Sequence, residues 1–271
     1  MKIMVMSGTS DAVKIIDYLG SIEDTRIIAT TTTSYGAELA SDAGADEVLV
    51  GGLGVDAMVD VIHQKQVDLL LDATHPFASQ ATRTAIEAAK TAKISYIRFE
   101  RPAIPEQTIK KLHLVNNFEE ASQKAIELIK ETKNRRVMHL AGVSTLPQVL
   151  ENVSPQNLIV RVLPAVYSIK KCLELGIPSE NIVAMQGTFS SDFNRVLMAE
   201  FNVDVIITKE SGESGGTLSK LDAAAQLEIP VVMVKRPVIS EIEESSVYSD
   251  IDDLIVAVKS LRTDQAFFNQ S

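Results

Sequence analysis

KIMVMSGTS at residues 2–10 returns without a gap as RVMHLAGVS at residues 136–144. Each copy is a short apolar run that stops at a glycine, Gly8 or Gly142. After the first copy, Val13, Ile16 and Leu19 recur at helical spacing. The segment therefore reads as strand, tight turn and helix, the opening of a nucleotide-binding α/β unit. Only Gly8 stands of the three glycines in a GxGxxG fingerprint, so the motif is weak by itself. Ser10 or Thr9 can cap the helix whatever else it does.

Working outward, strands are expected at 26–32, 47–50, 68–72 and 95–99, separated by helical patterns at 36–43, 56–64 and 79–91. Five strands alternating with helices make a parallel, doubly wound sheet. The later blocks repeat as well. Residues 47–52 match 182–187, 68–72 match 204–208 and 94–102 match 229–237, with the offset holding at about 134 to 136 residues. Helical patterns near 118–131 and 250–262 also correspond. The expected fold class is α/β: two similar Rossmann-like domains with parallel doubly wound sheets, from an internal duplication, with a ligand cleft between them. The expected boundaries are 1–103 for an N-terminal domain, 104–134 for a linker and helix, 135–240 for a C-terminal domain, and 241–271 for a C-terminal helix and tail. A strand order of 3-2-1-4-5 in each half puts the topological switch between its first and fourth strands, where ligands sit beyond the carboxyl ends.

The candidate site residues lie at those ends. In the first half they are Gly8, Thr9, Ser10 and Asp11, together with Asp72, Ala73, Thr74, His75 and Pro76 of the DATHPFA stretch. Pro76 fixes the turn and Phe77 can cover the His75 ring; the imidazole is either a structural hydrogen-bonding group or a catalytic one. The second strand runs into the hydroxyls of Thr31, Thr32, Thr33 and Ser34, with no acid to take an adenosine 2′-hydroxyl, which leans toward NADPH over NADH. Such a run is also simply good β chemistry. In the second half, TKESGESGGTLSK at 208–220 sets Lys209 and Glu210 side by side on a glycine-rich turn between a buried strand and a helix. Lys209 suits scaffolding, a ligand phosphate or carboxylate, or proton transfer. Gln186 and Gly187 share that rim. Tyr167 and Lys171 have the YxxxK spacing of short-chain dehydrogenases, but they follow the second strand of the second half, where a surface helix is expected.

Composition excludes several classes. With 45% apolar and 23% charged residues, the 271-residue chain is that of an ordinary soluble globular protein. A net charge of −10 argues against nucleic acid or an acidic membrane as partner, though not against a small anion, which senses only local charge. The first residues lack a signal-peptide pattern and no window approaches a membrane span, so a cytoplasmic protein is expected. The single Cys172 rules out an internal disulfide, and four histidines without HExxH-like spacing give no expectation of a metal site. The sequons at Asn152 and Asn269 carry no meaning without secretion.

GTSDA at 8–12, DATHPFA at 72–78, RVLP at 161–164, MQGTFS at 185–190, TKESGESGG at 208–216 and IPVVMVKRP at 229–237 together resemble the precorrin-6A reductase family of corrin ring biosynthesis, including its cobalt-precorrin-6A branch. The resemblance implies a two-domain Rossmann-like enzyme that uses NADPH, or NADH, to reduce one double bond of an anionic tetrapyrrole-derived macrocycle. It implies that Gly8, Thr9, Ser10, Asp11, Thr31, Thr32, Thr33, Ser34, Asp72, Ala73, Thr74 and Pro76 hold the dinucleotide, with the pyrophosphate on the first helix N-terminus. Gln186, Gly187, Glu210, Ser211, Gly212, Gly215, Gly216 and Lys220 then lie toward the macrocycle, with Lys209 and Lys220 as candidates for its carboxylates and Lys209 and His75 as the catalytic candidates. The chain departs from the family at Val13, where an arginine is usual, at Thr188 in place of proline, and at Ser219 before Lys220 in place of glutamate. A monomer or weak homodimer is expected. The rival readings are another NAD(P)-dependent oxidoreductase or sugar-nucleotide epimerase, and a two-lobed binding protein without chemistry.

Overall fold

The computed structural model describes residues 1–104 and 111–268, side chains at 245 and 263–268 excepted. Asn269 and part of the expected 104–134 linker lie outside the described residues. In chain order the elements are β1 (Lys2–Met6), α1 (Ser10–Gly20), β2 (Arg26–Thr31), α2 (Ser34–Asp42), β3 (Glu47–Val50), α3 (Val55–Lys65), β4 (Leu69–Asp72), α4 (Ser79–Ala92) and β5 (Ser95–Phe99). Next come β6 (Leu112–Val115), α5 (Phe118–Leu128), β7 (Val137–His139), α6 (Leu146–Val149), β8 (Leu158–Val162), α7 (Val166–Glu174) and β9 (Ile182–Ala184). The chain continues with α8 (Ser191–Glu200), β10 (Val205–Lys209), α9 (Thr217–Gln226), β11 (Val231–Val234), β12 (Val247–Tyr248) and α10 (Ile251–Phe268). Two units result: Met1–Pro102 with Pro237–Ser271, and Ala103–Arg236.

The first unit is a six-stranded parallel sheet in the order β12-β5-β4-β1-β2-β3, which contains the expected 3-2-1-4-5. Its strands must be apolar on both faces, because helices cover both. Ile3 and Val5 of β1 face Ile15, Ile16 and Leu19 of α1 and Leu254 of α10. Met4 and Met6 face the other way, onto Met58 and Ile62 of α3 and Ala85 and Ala88 of α4. The helices are ended locally: Gln66 after α3 and Lys93 after α4 take the left-handed conformation that closes a helix C-terminus.

The second unit has the matching order β6-β11-β10-β7-β8-β9, also parallel. Register agrees between the units, with Ile3 opposite Leu69 in one and Val137 opposite Val205 in the other. The same device pins both: Lys2 N donates to Asp68 Oδ2 at 2.7 Å, and Arg136 N donates to Asp204 Oδ2 at 2.8 Å. Met138, Ile159, Ile206 and Leu221 form its core toward α8 and α9.

The outermost strands depart from simple succession. β6 follows β5 in sequence but pairs with β11, and β12 follows β11 but pairs with β5. Each sheet is thus completed by the strand that follows the other. The stretch expected as linker and helix, 104–134, supplies β6 and α5 to the second unit, and the stretch expected as C-terminal helix and tail, 241–271, supplies β12 and α10 to the first. Among the described residues no helix is long and apolar enough to cross a membrane.

Candidate functional site

β1 and β4 are neighbours in the first unit, and the segments after them carry the expected residues of that half. Gly8 sits at φ +117°, a conformation costly for any residue with a Cβ, and the space around it is open. Thr9 caps α1: its Oγ1 accepts from Ala12 N at 3.0 Å and donates to the Ala73 carbonyl at 2.9 Å, tying the β1 turn to the end of β4. Ser10 is exposed, whereas Asp11 is buried in an ion pair with Arg101 at 2.6 Å. Thr31 is buried, packed where a Cβ on Gly36 would lie, and Thr33 caps α2 by accepting from Gly36 N at 3.0 Å. Thr32 and Ser34 are exposed.

Asp72 faces inward and not toward a ligand. It is 0% exposed; Oδ1 accepts from Thr74 N and Oγ1 at 3.0 and 2.6 Å, and Oδ2 accepts from Arg98 at 2.7 Å and Tyr96 at 3.1 Å. Arg98, also fully buried, donates as well to Thr82 at 2.8 Å and Glu100 at 2.8 Å. Burial pulls its basicity down, and the charges of Asp72 and Glu100 more than reverse that. Burial and the Asp72 charge push the Tyr96 phenol up, so it stays protonated as a donor. Asp72 is therefore a brace for Thr74 and the loop behind it. His75 Nδ1 accepts from Phe77 N at 3.1 Å, with the two rings tilted at 5.8 Å, and Pro76 is buried. That bond puts the ring proton of a neutral His75 on Nε2.

In the second unit the corresponding switch, between β7 and β10, opens into a cavity of about 270 Å³ lined by Ala141, Gly142, Arg161, Leu163, Met185, Gly187, Thr188, Phe189, Lys209, Gly215, Gly216 and Lys220, among others. Lys220, on the first turns of α9, is 6% exposed and donates to the Gly215 carbonyl at 3.3 Å. Burial, with repulsion from Arg161 and Lys209 added, lowers its ammonium to about 7. Burial lowers Lys209 to about 8 and Arg161 to about 10. Arg161 leaves β8, donates to Asn194 Oδ1 at 2.7 Å and lies 5.1 Å over the Phe189 ring. A basic pocket at a topological switch is equipped for an oxyanion.

The glycine-rich loop is its frame. Glu210 is buried, accepts from Gly212 N at 2.9 Å and pairs with Arg236, so it braces the turn. Ser211 is buried against Thr217, and a Cβ on Gly215 would fall 2.3–2.5 Å from Ser211 atoms, so only glycine fits there. Gly212 and Gly216 take left-handed conformations at φ 71° and 68°. Gly187, at φ 135°, lines the cavity, while Gln186 is exposed outside the lining. His139 at the end of β7 is 0% exposed; its Nε2 lies 2.8 Å from Thr145 Oγ1, and burial lowers it to about 4, so it is a neutral support for the Gly142 turn.

Of the expected residues, Lys209, Gly187, Gly215, Gly216 and Lys220 converge on one cavity, and Glu210, Ser211 and Asp72 hold loops from behind. Arg161, Asn194 and Phe189 carry no ligand role in the sequence reading. The arginine of RVLP was the available signal, but its convergence with Lys220 needs the fold. Tyr167 is exposed on α7 after β8, the surface-helix position expected for it. Among the described residues no group of three or more His, Cys, Asp or Glu side chains is placed to hold a metal ion.

A family model described as precorrin-6x reductase CbiJ/CobK matches residues 2–259. The cobalt-precorrin-6A reductase of Methanothermobacter thermautotrophicus is 43% identical over 265 residues, covering 97% of this chain and 85% of that protein. The precorrin-6A reductase of Rhodococcus erythropolis is 27% identical, with 95% and 96% covered. A solved structure of CobK precorrin-6A reductase shares the fold with a TM-score of 0.73 at 19% identity, over 96% of this chain and 97% of that one.

Proposed function

Since the chain belongs to the precorrin-6x reductase family, whose members are NAD(P)H-dependent oxidoreductases converting precorrin-6A to precorrin-6B, we propose that it works on the cobalt-containing form of that macrocycle. The observation that carries this choice is the 43% identity, over nearly the whole chain, to a cobalt-precorrin-6A reductase, against 27% to a precorrin-6A reductase.

The dinucleotide belongs, in this reading, to the first unit. The open main chain at Gly8, the α1 N-terminus behind Thr9 and the exposed hydroxyls of Ser10, Thr32 and Ser34 suit phosphate and ribose oxygens, and the hydroxyl row with no acid favours NADPH. Asp11 does not oppose this, because Arg101 neutralises it. When bound, the nicotinamide supplies the hydride. Asp72, Thr9 and Thr33 keep the surrounding turns fixed, which lowers the reorganisation needed when ligand binds. The macrocycle's carboxylates belong to the second unit, at Lys220 and Lys209. The two units descend from an internal duplication in this reading, which the common strand order and the paired Asp68 and Asp204 bonds support.

Anaerobic turnover of cobalt-containing and metal-free substrate with NADPH and NADH tests the reading. Preference for cobalt-precorrin-6A with NADPH is expected, and equal or better use of the metal-free ring refutes the cobalt assignment. Lys209→Ala is expected to lower kcat/KM at least tenfold, about 1.4 kcal/mol or more; unchanged kinetics removes Lys209 from the site.

A further inference from the structure

Two basic side chains that meet no carboxylate among the described residues line the cavity at the second unit's switch. Arg161 is satisfied by an amide oxygen and an aromatic face, and Lys220 by a backbone carbonyl. Asn194 is itself fixed: its Nδ2 donates to the Ser190 carbonyl at 2.9 Å and the Phe189 carbonyl at 3.2 Å, so its oxygen is held toward Arg161. Phe189 in turn stacks on Phe193 at 4.7 Å. Buried basic groups are ordinarily paired, because an isolated charge is costly away from water. A guanidinium aimed by two neutral groups beside a buried amine has the chemistry to receive an oxyanion.

We propose that Arg161 and Lys220 form an oxyanion clamp, aimed by Asn194 and Phe189, whose lysine takes up a proton as the ligand's anionic group enters. This rests on the functional reading above for which ligand arrives, and adds Arg161 and the proton to it. The groups facing Lys220 account for the uptake. Arg161 from β8 and Lys209 from β10 are cationic and oppose its protonation. α8 contributes the neutral Asn194, held on Arg161 and Ser219, and the 212–216 loop presents its backbone to Lys220 while its one acid, Glu213, is exposed. Asp222, the nearest acid in sequence on α9, points to solvent and is engaged by Ser191 and Gln226. With Lys220 lowered to about 7, part of it is neutral at pH 7.5, and an entering oxyanion favours the charged form.

The experiment is calorimetric titration of the full chain at pH 7.5 in two buffers of different ionisation enthalpy, with cobalt-precorrin-6A in one arm and NADP⁺ in the other. Wild type is expected to take up a measurable fraction of a proton with the macrocycle, and Lys220→Arg, which keeps its charge, to bind with that uptake abolished. Asn194→Ala is expected to weaken binding about tenfold while leaving the uptake in place. Uptake in the nucleotide arm instead supports the clamp with phosphate as its oxyanion and overturns the assignment of the macrocycle to this unit. No uptake in either arm, or the same uptake in Lys220→Arg, overturns the clamp; a tenfold weaker macrocycle with Lys220→Met would then still leave the functional reading standing.

Discussion

Arg98→Met replaces a fully buried guanidinium with an apolar side chain of similar length, leaving Asp72 as a carboxylate that is 0% exposed and served only by the neutral donors Thr74 and Tyr96. At the 2.7 Å separation of the ion pair, the gross attraction is on the order of 6 kcal/mol for an effective dielectric constant of about 20. Desolvation takes back much of that, and removing one partner of such a pair costs about 3–5 kcal/mol. Since domains are stable by only about 5–15 kcal/mol, the loss is a large share of the first unit's stability, roughly 6–20 °C in Tm. Urea and thermal unfolding of the full chain measure it, and the loss is expected in the transition that carries the first unit. The double variant Arg98→Met with Asp72→Leu removes both charges, and is expected to recover most of what the single variant loses. A single-variant loss below about 1 kcal/mol, or a double variant no better than the single, would refute the bracing role of this pair.

Gly215→Ala forces a Cβ to within 2.5 Å of the Ser211 side chain and carbonyl, which cannot all move aside; a cost of about 1–3 kcal/mol and weakened ligand binding are expected, and wild-type affinity with an unaltered melt would show that the loop is looser than described. Lys220→Met should be more stable than wild type at pH 7. Unfolded, the lysine holds its proton to about 10.5, while folded it lets go near 7, so wild type gains about 1.4 kcal/mol per pH unit between those values and the advantage of the variant shrinks as pH rises; parallel pH–stability curves for the two proteins contradict this. Tyr167→Phe is expected to keep full activity, because the phenol is exposed on α7; a loss of a hundredfold would revive the YxxxK reading.

The sheets were legible because burial on both faces demands apolar runs, as the run at 2–6 shows in β1, and the expected strands at 47–50 and 95–99 coincide with β3 and β5. The repeat supplied the second sheet by analogy. The strands β6 and β12 were not legible: β12 has two residues, too few for any period, and its partner β5 is separated from it by most of the chain. Within the site, Lys209, Lys220 and the glycines could be read from one loop that joins a strand to a helix. Arg161, Asn194 and Phe189 come from three other segments, and only the parallel order brings them to that loop. Asp72 misled in the opposite direction. Its place at a strand end marks a ligand contact in many α/β proteins, but here Arg98, four places into the next strand, turns it inward.

The placement of β12 also sets a clock on biosynthesis. When a ribosome has released β5, the hydrogen-bonding edge that Val247 and Tyr248 will later occupy is bare, and Leu254, Ile255 and Val258 have yet to be made to cover the core. At synthesis rates of about 5–20 residues per second, that edge waits roughly 7–30 s. Through that interval β6 emerges next to an unfilled edge in the same nascent chain, although its own partner β11 does not yet exist. Of β6 and β12, the one made first has to be kept for the sheet made second, a burden that falls on the nascent chain, its edge residues and any chaperone that attends them.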